Sequence, residues 1–139
     1  MDIRPITPLY AVSPQIAPED VPAIAAAGYR TVICNRPDAE VPAELSADAL
    51  RIAVEAAGLR FVDNPVTHAT MTPDRIEAQA RALSGEGPAL AYCQSGTRCS
   101  VLWSLAQAGR MPADDILAAT ARAGYDLSAL RPRLEVGAS

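Results

Sequence analysis

The run Cys93-Gln94-Ser95-Gly96-Thr97-Arg98 places a nucleophile, a glycine turn and a guanidinium within six residues. It lies between the apolar stretch Ala89-Leu90-Ala91-Tyr92 and a helical pattern beginning near Arg98. Successive backbone N–H groups in such a turn can converge on one point. A helix start adds its own unpaired N–H groups and the positive end of its dipole. Arg98 offers a planar fork to an oxyanion. The same field favours thiolate over thiol at Cys93. A thiolate facing an anion cradle is the arrangement for covalent catalysis at phosphorus or sulfur. Gln94, Ser95, Gly96, Thr97 and Cys99 make up the rest of the cradle. The plainer alternatives are a buried, inert Cys93, a solvated Arg98 in the first helical turn, and Ser95 and Thr97 as turn residues. Gly96 is the sharper signal, because a cradle needs close backbone approach.

The elements that must hold this loop are legible from punctuation. Ala27-Gly28-Tyr29-Arg30-Thr31-Val32-Ile33 and Ala57-Gly58-Leu59-Arg60-Phe61-Val62 both read as helix end, glycine cap, strand. Gly87-Pro88-Ala89-Leu90-Ala91-Tyr92 is a third such unit, with a nearly all-apolar strand. Thr72-Pro73-Asp74, Pro18-Glu19-Asp20 and Pro112-Ala113-Asp114 mark helix starts. The pattern predicts helices near 18–27, 44–57, 73–84, 98–109 and 112–123, and strands near 8–12, 31–35, 59–63 and 89–93. The tail from Tyr125 reads as a short helix and a surface strap. Alternating strands and helices imply a three-layer α/β domain over 1–139, with a mostly parallel sheet of four to five strands. Ligands of such sheets bind beyond the C-terminal strand ends. Polar residues gather there: Asn35, Arg36, Asp38 and Glu40 after one strand, Asp63, Asn64, Thr67 and His68 after the next.

The chain has 139 residues and a net charge of -4, with no basic run, which argues against a nucleic-acid surface. Arg131-Pro132-Arg133 is too short to change that. No signal-peptide pattern opens the chain and no apolar run could span a bilayer, so a cytoplasmic protein without membrane contact is expected. Cys34, Cys93 and Cys99 are an odd set whose spacing fits no tetrahedral metal motif. Neither a metal nor another cofactor is expected. Arg36 and Asp38 read as rim residues in a salt link or turn, with Arg36 also able to attract substrate. Trp103 reads as core or interface packing.

The loop resembles two groups of active-site loops. Protein tyrosine phosphatases have five residues between cysteine and arginine. Rhodanese sulfurtransferases, many reading Cys-Arg-Ser-Gly-x-Arg, have the four seen here. Segments elsewhere resemble a bacterial family of phosphatase-like proteins: Leu9-Tyr10-Ala11-Val12-Ser13-Pro14-Gln15, Pro18-Glu19-Asp20, Ala27-Gly28-Tyr29-Arg30-Thr31-Val32-Ile33 and Asn35-Arg36-Pro37-Asp38. This is the beta-lactamase hydrolase-like, phosphatase-like domain, or domain of unknown function 442. The resemblance runs from about Ile3 to Leu134 and implies a fold like that of dual-specificity phosphatases. Some members are described as sulfur transferases. Some are fused to a metallo-beta-lactamase-type domain resembling persulfide dioxygenases, which implies a functional link to a persulfide-handling protein. The chain departs from the family at Gln94, where arginine is frequent, and at Cys99, where serine is usual.

The resemblance also implies roles. For a phosphatase, Asp63 is the candidate general acid, or else it braces the Asn64-Pro65 turn. His68, the single histidine, is either incidental or a proton carrier. Cys34 is either a resolving cysteine for Cys93 or a small buried residue. Cys99 either takes the place of a hydroxyl that hydrogen-bonds the nucleophile or forms a disulfide with Cys93. Loop length favours sulfur transfer first: Cys93 takes sulfane sulfur from a small anion or persulfide and passes it to a thiol. The alternative is a phosphatase using Cys93, Arg98 and Asp63. The third reading is a thiol redox or binding module without enzymatic activity.

Overall fold

A computed structural model describes residues 1–136. Its centre is a five-stranded sheet: β1 (Arg4–Thr7), β2 (Tyr10–Ser13), β3 (Thr31–Cys34), β4 (Arg60–Asp63) and β5 (Ala89–Tyr92), in the order β1-β2-β5-β3-β4. Only the β1–β2 pair is antiparallel. The helices are α1 (Val21–Ala26), α2 (Ala47–Ala56), α3 (Pro73–Leu83), α4 (Thr97–Gln107), α5 (Ala113–Arg122) and α6 (Arg131–Val136). Short 3-10 turns, among them Asp38–Glu40 and His68–Thr70, fill the connections at the C-terminal strand ends.

Strand periodicity divides the core. Tyr10, Val12, Ile33, Ala89 and Ala91 face Ala82, Val101, Trp103, Ile116, Ala119 and Leu134 of α3 to α6. Ala11, Val32, Cys34, Leu90 and Tyr92 face Ile24, Leu50 and Val54 of α1 and α2. Continuing the alternation one residue past β5 turns Cys93 onto the α3–α6 side. That simple parity sets Cys93 and Cys34 on opposite faces of the sheet.

Three expectations are corrected. The strand expected near 8–12 is a hairpin, because Pro8 and Leu9 form a turn between β1 and β2. Pro5 is tolerated in β1 because that strand is the sheet edge. The helix expected from 44 begins at Ala47, where Ser46 caps it by accepting the Ala49 N–H at 3.2 Å. The tail is more than a strap, since Tyr125, Leu127 and Leu134 are buried in the core; residues 137–139 of that expectation lie outside the described chain. Among the described residues, no helix is long and apolar enough to cross a membrane.

Candidate active site

Cys93 follows β5 directly, and its N–H donates to Ser13 O at 3.3 Å. The chain then turns through Gly96, whose φ of 91° is open to glycine with little strain. This reversal aims the Gly96 N–H back at Cys93 Sγ, 3.1 Å away. Gly96 also caps α4, its carbonyl accepting from Ser100 N at 3.0 Å and Ser100 Oγ at 2.9 Å. Tyr125 Oη donates to Ser95 O at 2.9 Å and locks the outer side of the turn.

These donors decide the ionisation of Cys93. Its pKa is pushed down to about 5, chiefly by the Cys99 thiol, against the cost of burial, with help from the Cys99, Ser95 and Gly96 amides. Cys99 moves the opposite way, well above the ordinary thiol range, because it is fully buried and donates to its neighbour. Near neutral pH these shifts favour a thiolate at Cys93 beside a thiol at Cys99. All three cysteines are free. Burial pushes the Cys34 thiol up, and its Sγ donates to Arg36 O at 3.3 Å, so it behaves as a satisfied strand residue on the far face.

Arg98 sits in the first turn of α4, 7% exposed. The cation at a helix N-terminus is compensated by a carboxylate. Arg98 Nη1 and Nη2 donate to Glu40 Oε2 and Oε1 at 2.9 and 2.7 Å. Nη1 also donates to Val66 O at 2.8 Å. Among the described residues, Arg98 Nε has no hydrogen-bond partner, leaving one edge of the fork for an anion. Arg36 completes the cluster: Nε donates to Glu40 Oε1, Nη2 to Glu40 O and Nη1 to Gln15 Oε1, each at 3.2 Å. The Arg98 guanidinium, ahead of the Arg36 one, holds the Glu40 carboxyl below its usual range. Asp38 faces away and accepts the Ala47 N–H at 2.8 Å, tying the turn to the start of α2.

A polar cavity of about 280 Å³ opens over this cluster, lined by Glu40, Thr67, His68, Gln94, Ser95, Thr97 and Arg98. Cys93 is 1% exposed and does not line the cavity itself, although the next two residues of its loop do. Ser95 Oγ and Thr97 Oγ1, both lining the cavity, pair at 2.9 Å. His68 stands at the wall. Asp63 does not line the cavity. It is exposed at the end of β4, in register with Cys34 on the α2 side, and partial burial with the nearby Asp38 raises its pKa. Strand parity thus counts against the leaving-group role expected of it. Trp103 is core, stacked on Tyr10 with ring centroids 6.3 Å apart.

Two residues gained no role from sequence. Glu40 stood only among the polar strand-end residues, although its spacing of four from Arg36 was visible. Gln79 sits in the buried stripe of α3, three residues before Ala82, a polar residue in an apolar position.

A mostly parallel sheet, a buried cysteine at a strand end and an arginine opening the next helix make up a phosphatase-like architecture. The profile of the family described as "Beta-lactamase hydrolase-like protein, phosphatase-like domain" matches residues 2–110, and the chain belongs to that family. It is 36% identical over 130 residues to a beta-lactamase hydrolase-like protein of Xylella fastidiosa, covering 91% of this chain but only 30% of that protein. A crystal structure of a Neisseria meningitidis protein, provisionally described as a phosphatase, is similar at 35% identity and TM-score 0.85, with 99% of both chains covered. A Shewanella putrefaciens domain of unknown function 442 shares the fold at 20% identity and TM-score 0.72, over 98% of this chain and 85% of its own. A more distant structure, that of Tk-PTP, shares the fold alone at 15% identity and TM-score 0.69, over 96% of this chain and 92% of its own.

Proposed function

We propose that this protein is a cysteine-dependent phosphatase. The observation that carries the reading is the buried Cys93 sulfur, receiving the Gly96 N–H at 3.1 Å in a loop whose Gln94, Ser95, Thr97 and Arg98 line one cavity. Cys93 Sγ attacks phosphorus, an S–P bond forms and the ester P–O bond breaks. Arg98 Nε and the loop amides stabilise the equatorial oxygens. His68, on the cavity wall, passes a proton to the leaving oxygen and then takes one from the water that hydrolyses the phosphocysteine. Glu40 is a poor proton donor, because Arg98 keeps it ionised. The family's phosphatase-like description and the Neisseria relative support the same chemistry.

Sulfur transfer is the second reading. Two observations favour it: only four residues separate Cys93 from Arg98, and a carboxylate, Glu40, already occupies the arginine fork. A shorter cradle beside a negative charge suits a phosphate dianion less well.

A paired assay separates the two. Wild type and Cys93→Ser are given an aryl phosphate, and separately thiosulfate with a thiol acceptor. The expected result is phosphate release by wild type alone, with one phosphoryl group trapped on Cys93 by rapid acid quench and intact mass. Cys93-dependent sulfur transfer without phosphate release would overturn the proposal in favour of the second reading.

A further inference from the structure

Beneath the site lies a buried polar cluster drawn from separate elements, with Gln79 of α3 at its hub. Gln79 is 0% exposed. Its Nε2 donates to Tyr10 Oη at 3.0 Å and to Asn35 Oδ1 at 2.9 Å. Its Oε1 accepts from Asn35 Nδ2 at 2.8 Å and Asn64 Nδ2 at 3.0 Å. An amide has two donors and two lone pairs, so the capacity of Gln79 is filled. Such a group is tolerated in a core only when satisfied, and an apolar residue would serve the packing of α3 at lower cost. The other buried residue of α3 is Ala82.

Each end of the cluster reaches the site. Tyr10 Oη accepts from Gln79, so its own proton goes to Cys99 O, 2.8 Å away. Cys99 is the residue that does most to hold the Cys93 pKa down. At the other end, Asn35 O accepts the Val66 N–H at 3.0 Å, and Val66 O anchors Arg98 at 2.8 Å. Asn64 binds the same hub and also donates to Arg75 O at 2.9 Å, fixing the segment that leads to Val66.

We propose that Gln79 is a positioning residue of the active site, holding Cys99 through Tyr10 and Arg98 through Asn35 and Val66, so that nucleophile and anion fork keep one mutual geometry. The inference rests on the Cys93–Arg98 site and not on which group that site transfers.

The test reads the thiolate and the anion site directly, without catalysis. Alkylation of Cys93 by iodoacetamide is followed from acid to neutral pH and located by peptide mass, with and without inorganic phosphate as protectant. The proteins are wild type, Gln79→Met and Tyr10→Phe. Tyr10→Phe removes one oxygen and leaves the ring stacked on Trp103. It should slow alkylation at acid pH by about tenfold, as expected for a nucleophile whose ionisation moves up by one pH unit, while phosphate protection persists. Gln79→Met should lose both the acid-range reactivity and the protection. Lower melting temperatures with unchanged alkylation profiles and unchanged protection would reduce the cluster to a structural role and overturn the proposal. Should Gln79→Met fail to fold, the Tyr10→Phe profile alone decides. Absence of phosphatase activity leaves this test intact.

Discussion

At the scale of single residues, Gly96 carries the most geometry. Its left-handed φ of 91° turns one N–H onto Cys93 Sγ while its carbonyl caps α4. A Cβ built there would stand 2.2 Å from Tyr125 Oη and 3.0 Å from Tyr125 Cζ. Gly96→Ala therefore carries the backbone penalty of the left-handed region and also expels Tyr125 from Ser95 O. Each contribution is about 1–2 kcal/mol. The expected outcome is a melting temperature lower by several degrees, with acid-range alkylation of Cys93 reduced about tenfold as the loop opens. Wild-type alkylation in a folded Gly96→Ala protein would show that the turn does not control the thiolate. The need for glycine was legible in the sequence, since a cradle requires close backbone approach. Its Tyr125 partner was not, because a contact spanning 29 residues leaves no local pattern.

At the scale of elements, the 3-10 turn Asp38–Glu40 links the site to the opposite layer. Asp38 fastens it to the α2 N-terminus, and Glu40 reaches across to the α4 N-terminus. The strand ends that carry polar residues were readable from punctuation alone, because glycine caps and branched residues mark where each strand begins and stops. Which polar residue meets which was not readable. Asp63 and Glu40 are both acidic and both follow strands, but parity turns Asp63 to the α2 side, whereas the 3-10 turn carries Glu40 over the cavity. Glu40→Ala tests that bridge. Arg98 is nearly buried and Glu40 about one-third exposed, so losing the pair costs less than a buried ion pair and more than a surface one, about 1–2 kcal/mol. Chemical denaturation should show that loss. Inorganic phosphate should recover part of it by occupying the freed fork, and a variant as stable as wild type would show that Val66 O alone suffices for Arg98.

At the scale of the whole molecule, the sheet assigns its two faces different work. The α1–α2 side buries Cys34 as an ordinary core thiol, while the α3–α6 side ends in Cys93. The alternating elements made this layered plan legible. The added edge strand was hidden because Pro5 and Pro8 look like loop punctuation, and only pairing with β2 makes Arg4–Thr7 a strand. A consequence for global stability follows from Cys93. Its native pKa of about 5 lies below the value of about 8.5 expected in an unfolded chain. A group depressed on folding contributes its full stabilisation above the unfolded value and loses it as pH falls through the native one. Between about pH 5 and pH 7 the unfolded state therefore binds the extra proton, and stability rises with pH. The gain over that interval is about 2–3 kcal/mol. Glu40 is also depressed and Asp63 is raised, so the wild-type curve alone mixes their contributions. Subtracting the curve of Cys93→Ser, which retains both carboxylates and has no ionisable group at 93, isolates the thiolate. Urea unfolding of both proteins across this range should give curves that diverge as pH rises, wild type gaining on the variant. Parallel curves would mean that Cys93 is protonated in the folded protein at neutral pH, and the nucleophile assigned to the site would then have no basis.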